Sequence, residues 1–174
     1  RTSSIDCPVS EAQILLRVNK HSENLENVYK DALGMEQSQL FIEGKPPVLI
    51  EQSEKQFNRG ELGLPENKFL IAIVGNRLDE EIDIEFVQLM QRIIQIEESA
   101  AFIIIGEVSG AKSYFSEAVF QERVFYLGYQ EDLVGVYGVL DLYMNTKRMG
   151  GGYSSEMALA AGIPVITLPD CDVA

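Results

Sequence analysis

The sequence holds little of what anchors metals or cross-links: two cysteines, Cys7 and Cys171, and one histidine, His21, in 174 residues. The cysteines are far apart and in no metal-ligand spacing, which excludes a disulfide framework or zinc site and fits a reducing, cytoplasmic setting. Basic residues are also scarce, with 14 Lys and Arg against 27 Asp and Glu, a net charge of -13. A general electrostatic attraction to nucleic acid or anionic lipid is thereby excluded, so any phosphate ligand must be held locally. No apolar run reaches the roughly 18 residues of a membrane helix, and the N-terminus lacks the charged-then-apolar-then-small order of a signal peptide. The sequence does not open with Met and stops just after an apparent strand, and so reads as an excised fragment. Internal repeats and low-complexity tracts are absent as well.

What is present suits one globular domain with a piece of another: 46% of residues are hydrophobic and 24% charged. From Phe69 onward short apolar runs alternate with helical patterns. The runs are FLIAIV (69 to 74), AFIIIG (101 to 106), RVFYLGY (123 to 129), LDLYMN (140 to 145) and IPVITL (163 to 168). They are nearly continuous rather than alternating, as in parallel strands covered on both faces. Between the first two, Ile82, Phe86, Leu89, Met90, Ile93 and Ile94 recur at helical spacing. A weaker helix is predicted near 110 to 120. Another spans about 130 to 139, burying Leu133, Val136, Tyr137 and Leu140, and a last one, about 154 to 161, is capped by Gly162. The fold class is therefore α/β, a Rossmann-like doubly wound parallel sheet over residues 69–174.

Residues 1–68 read differently, as the end of a preceding domain and a connector. SEAQILLRVN and SENLENVYKDALG look like two short helices, the second capped by Ser22, and the proline pair of GKPPVLIEQ forbids helix after them.

The stretch that carries chemistry is MGGGYSSEMALAAGIPVITLPD, 149 to 170. Gly150, Gly151 and Gly152 stand between a strand and a helix, at the carboxyl end of a parallel strand where open α/β sheets bind ligands. Glycine lets a ligand approach the backbone, and successive N–H groups running into a helix N-terminus cradle an anion. Ser154 or Ser155 can cap that helix or donate to a phosphate oxygen, and Lys147 and Arg148 bring positive charge from just upstream. Glu156, in the first turn, repels phosphate but accepts hydrogen bonds from the vicinal hydroxyls of a ribose. A floppy turn followed by a dipole-serving glutamate is the plainer alternative.

DLYMNTKRMGGGYSSEMALAAGIPVITL resembles the donor-site signature of GT-B glycosyltransferases of the group 1, family 4-like kind. RGELGLPENKFLIAIVGNRL resembles the entry and first strand of their C-terminal nucleotide-sugar-binding domain, and ERVFYLGYQEDLVGVYGVLDLYMN resembles the stretch just before the signature. The resemblance implies a glycosyltransferase that binds a nucleoside-diphosphate sugar, UDP foremost, and passes a hexose to a sugar or protein acceptor without metal or organic cofactor. It implies that Gly75, Asn76 and Arg77 face the donor diphosphate, with Arg77 as the charge. Gly150 to Gly152 with Tyr153 would wrap phosphates and sugar, Glu156 would bind the ribose, and Gly128 and Tyr129 would lie near the base.

Two departures stand out. Retaining members often carry a second glutamate eight positions before the first-turn glutamate, where this chain has Arg148. They also usually carry a lysine after the first-strand loop, where this chain reads Asp79-Glu80-Glu81. No catalytic residue is identified, and the stereochemical outcome stays open. Two other readings share the fold: a UDP-N-acetylglucosamine 2-epimerase-type isomerase, and a degenerate, non-catalytic partner subunit.

Other signals fall away. GEVSGAKS (106 to 113) has three residues between its glycines and Ala111 before its lysine, so it is not a P-loop and reads as a turn, with Glu107 near the nucleotide. His21 sits among polar residues as a solvated loop residue. Asp141 reads as a structural hydrogen-bonding group. The acidic run DEEIDIE reads as a solvated helix start with no metal spacing.

Overall fold

The computed structural model describes residues 14–17, 40–43, 50, 52–147 and 152–168. Two compact units divide at Leu49 and Ile50. In the first, strand β1 (Ile14–Arg17) pairs in parallel with β2 (Leu40–Glu43). The expected helix over SEAQILLRVN is thus a strand at its apolar centre. Its Ile-Leu-Leu run is too short to distinguish helix from strand by periodicity, and the pairing with β2 decides the matter. The second expected helix, over 22 to 34, lies outside the described residues.

The second unit carries a five-stranded sheet made of β3 (Phe69–Val74), β4 (Ala100–Ile105), β5 (Val124–Gly128), β6 (Leu142–Met144) and β7 (Val165–Ile166). All pairings are parallel and the spatial order is β5-β4-β3-β6-β7. Counted from β3, this is the doubly wound order in which the direction of winding reverses between the first and fourth strands. The connecting helices are α1 (Leu78–Glu81), α2 (Ile84–Ile96), α3 (Leu133–Tyr137) and α4 (Tyr153–Ala160).

Period-two alternation sorts the strands onto two cores. Ile71, Ile73, Phe102 and Ile104 pack against Phe86, Val87, Met90 and Ile94 of α2. Leu70, Ala72, Val74, Ile103 and Ile105 pack on the other face against Val136, Tyr137, Leu140 and Ala158. Both faces of β4 are buried along its whole length, which is why its sequence reads as an unbroken apolar run. Each fully buried Ile or Leu here contributes about 1.5–3 kcal/mol relative to exposure.

Local sequence sets the helix ends. Asp83 accepts a hydrogen bond from the Phe86 amide at 2.9 Å and starts α2 there, two residues after the apolar periodicity begins. The weaker helix near 110 to 120 is two turns of 3-10 helix, Ala111–Ser116 and Ala118–Phe120. Helix α4 closes with Gly162 at φ 81, the Gly162 amide bonding Leu159 O and the Ile163 amide bonding Ala158 O, the paired bonds of a Schellman end.

Residues 52–68 belong with the sheet. Ser53 Oγ donates to Asp132 Oδ2, and the Arg59 guanidinium donates to Val139 O at 2.9 Å, Lys68 O at 2.9 Å and Asp141 Oδ2 at 2.8 Å. Asp141 Oδ2 also accepts from the Leu70 amide at 2.7 Å, while the Asp141 amide donates to Leu70 O at 3.0 Å. Asp141 is therefore structural, and it fastens β3 to β6 at their amino ends.

Removing that carboxylate strands the Leu70 amide and the half-buried guanidinium together. Asp141→Ala is expected to lower unfolding free energy by about 2 kcal/mol, and Asp141→Asn by less, in urea denaturation.

Candidate functional site

The carboxyl ends of β3 and β6 lie side by side at the reversal of the sheet, and a crevice opens there because the connection from β3 covers one face and that from β6 the other. The two loops singled out in the sequence leave from these two strand ends. The first holds Gly75, half-buried, then Asn76 and Arg77, both exposed. The second holds Asn145 and Thr146, both buried, and Lys147, exposed. It resumes at Gly152, the N-cap of α4, followed by Tyr153, Ser154, Ser155 and Glu156 in the helix's first turn. Arg148, Gly150 and Gly151 lie outside the described residues. Gly128 ends β5, two strands from β3, and Tyr129 just after it is 77% exposed.

The serines divide. Ser155 is buried, and its hydroxyl donates to Gly152 O at 2.7 Å, so it serves its own helix rather than a ligand. Ser154 O accepts from the buried Tyr137 hydroxyl at 3.0 Å, which pins the start of α4 to α3. No side chain caps α4, so the serine cap expected from the sequence is replaced by Gly152. Glu156 is half-buried, its amide closing the first helical bond to Gly152 O at 3.0 Å.

In the acidic run after β3, Asp79, Glu80, Asp83 and Glu85 are exposed at helix starts, as expected, and of its acids Glu81 alone is buried. Asp79 accepts from the Ala111 amide at 2.9 Å and from the Ser109 amide and hydroxyl at 3.0 and 2.8 Å, tying the turn after β4 to the loop after β3. These bonds, that from Ala111 first, pull its carboxyl down to about 2 from 3.8. Glu81 is 8% exposed; Oε2 accepts from the buried Thr146 hydroxyl at 2.8 Å and Oε1 lies 3.6 Å from Arg77 Nη2. Sequence reasoning missed Glu81. Its one signal was position, three residues after Leu78 on the helical stripe that leads to Ile82.

Gly106, just after β4, packs directly against the loop after β3. Its φ is 126, and a β-carbon there would stand 1.9 Å from Gly75 O. Glu107 beyond it is exposed. At the end of β6, Asn145 Oδ1 accepts from the Tyr143 hydroxyl at 2.9 Å, while Asn145 Nδ2 is buried with no acceptor among the described residues. No group of three or more His, Cys, Asp or Glu able to hold a metal occurs among the described residues, and none of their helices is long and apolar enough to cross a membrane.

No family model matches the sequence, and no curated protein matches it at the sequence level. Solved structures do. WaaG, a glycosyltransferase involved in lipopolysaccharide biosynthesis, aligns with a TM-score of 0.65 and 16% identity over 92% of this chain and 45% of its own. A variant of S. aureus TarM in complex with Fondaparinux, alpha-GlcNAc-glycerol and UDP gives 0.62 and 15% over 89% of this chain and 29% of its own. The pneumococcal O-GlcNAc transferase GtfA, in complex with UDP and GlcNAc, gives 0.59 and 16% over 90% and 30%. The chain thus spans less than half the length of each. These likenesses establish the fold, the Rossmann-like doubly wound sheet of GT-B glycosyltransferases.

The Asp79 clamp carries a signed pH dependence. Its folded pKa lies below the unfolded value, so its stabilisation is present above pH 3.8 and is lost as pH falls toward about 2. Asp79→Asn is expected to melt below wild type at neutral pH, with the gap narrowing across that window in a series of thermal midpoints.

Proposed function

We propose that the crevice between β3 and β6 binds the diphosphate of a nucleoside-diphosphate sugar, UDP foremost, and that the chain is the donor-binding part of a glycosyltransferase. The observation that supports this most is convergence: the two segments whose sequences resemble a donor site, 75–77 and 145–156, leave adjacent strand ends at the one place in the sheet where the winding reverses. Two proteins sharing the fold were solved with UDP bound.

In this reading the open N-terminus of α4 presents backbone N–H groups to the phosphates, and its dipole favours their charge. Arg77 and Lys147 add cations from the two lips, Arg77 as a planar fork suited to phosphate oxygens. With a net charge of -13 on the whole chain, these few local groups must do the holding. Glu156 accepts the ribose hydroxyls, and the exposed Tyr129 offers a face to the base. As the sugar transfers, negative charge builds on the leaving diphosphate, and donors already in place stabilise it without reorganising. The acceptor, a sugar or protein, and any base acting on it belong to the part of the enzyme outside this chain.

A second reading, a non-catalytic partner subunit, is favoured by the acidic Asp79-Glu80-Glu81 where resembling enzymes usually carry a lysine, and by Arg148 where they often carry a glutamate. Calorimetric titration with UDP, GDP and ADP separates the two. The donor-site reading expects saturable binding of UDP, weakened roughly tenfold or more by Arg77→Ala and by Glu156→Ala. No binding of any of the three by the wild-type chain overturns it in favour of the partner subunit.

A further inference from the structure

Glu81 is the one described glutamate that is buried, in a chain with 27 acidic residues. Taking a carboxylate out of water costs heavily unless partners compensate, so its two oxygens are informative. Oε2 accepts the Thr146 hydroxyl at 2.8 Å, and Thr146 directly follows Asn145 at the end of β6. Oε1 lies 3.6 Å from Arg77 Nη2, one helical turn back on the β3 side. The carboxylate therefore spans the two lips of the crevice, anchored on one and facing the cation of the other. A neutral amide would accept the threonine hydrogen bond equally well. The nearby cation adds an attraction that only the charged form feels.

From this geometry we infer, resting on the donor-site reading, that Glu81 is a positioning residue: anchored by Thr146, it holds the Arg77 guanidinium at the mouth of the crevice, aimed for an incoming diphosphate. Arg77 has a side chain 52% exposed. Left alone, such a side chain samples many rotamers and gives up that freedom on binding. An arginine drawn toward a fixed carboxylate 3.6 Å away samples fewer rotamers, keeps its N–H groups for phosphate oxygens and gives up less on binding.

The inference makes a prediction whose sign opposes simple electrostatics. A buried negative charge near a diphosphate repels it, so if Glu81 acted only through its charge, Glu81→Gln would tighten UDP binding. If Glu81 positions Arg77, Glu81→Gln weakens it, and the weakening depends on Arg77 being there. The test is a double-mutant cycle on the whole chain, with UDP affinity measured by calorimetry for wild type, Glu81→Gln, Arg77→Ala and the double variant. Expected is a loss of roughly five- to tenfold for Glu81→Gln in the wild-type background, and no loss, or a gain, in the Arg77→Ala background. Thr146→Val, which keeps the shape of the anchor and removes its hydroxyl, is expected to weaken binding in the same direction. Unchanged or tighter binding by Glu81→Gln overturns the inference. So does an equal loss in both backgrounds, which would make Glu81 a mere support of the loop. Failure of the donor-site reading itself shows separately, as an absence of UDP binding by the wild type.

Discussion

Everything proposed for this chain depends on the pairing of β3 with β6. In a doubly wound sheet the strands on either side of the first are reached by connections that cover opposite faces, so only at that pair do neighbouring loops diverge and leave a crevice. The pairing itself is short, with Ile71 opposite Leu142 and Ala72 opposite Tyr143. Carboxylate hydrogen bonds extend it at both ends. Asp141 bonds the Leu70 backbone and the Arg59 guanidinium below the ladder, and Glu81 bonds Thr146 above it. Two acidic side chains thus clamp the seam along which a ligand is proposed to sit.

The same seam concentrates an electrostatic conflict. A chain with a net charge of -13 offers an anionic ligand no general attraction. At physiological ionic strength charges beyond about 8 Å are largely screened, so what decides binding is the set of groups at the strand ends. There the acidic residues are already committed: Asp79 to the Ser109 and Ala111 amides, Glu81 to Thr146 and Arg77. A carboxylate with hydrogen-bond donors repels an anion less than a bare one, which is what the proposed phosphate site requires of this acidic lip.

The strands of the sheet were readable from sequence because β3 and β4 are covered on both faces, so their apolar runs are unbroken and unlike anything else in the chain. Helix α2 was readable because thirteen residues give its periodicity room to show. What escaped was set by distant partners. Ile14–Arg17 is a strand only through its pairing with β2. Arg59 reads as a polar connector residue until it is seen to donate to Asp141, and Glu81 as one more acid in a helix start until Thr146, 65 residues on, is brought against it. The hydroxyl of Ser155 was available on paper, but helix geometry turned it onto Gly152 O.

The split between what was readable and what was not mirrors how this fold tolerates change. At about 16% identity the apolar alternation that builds two cores on one sheet survives, because many combinations of Ile, Val, Leu and Ala satisfy it. The lips of the crevice obey no such degeneracy. A carboxylate buried there is tolerable only if it is hydrogen-bonded and set against a cation. At Glu81 an exposure of only 8%, the Thr146 hydrogen bond and the approach to Arg77 occur together. Fold and function are therefore separate arguments in this protein.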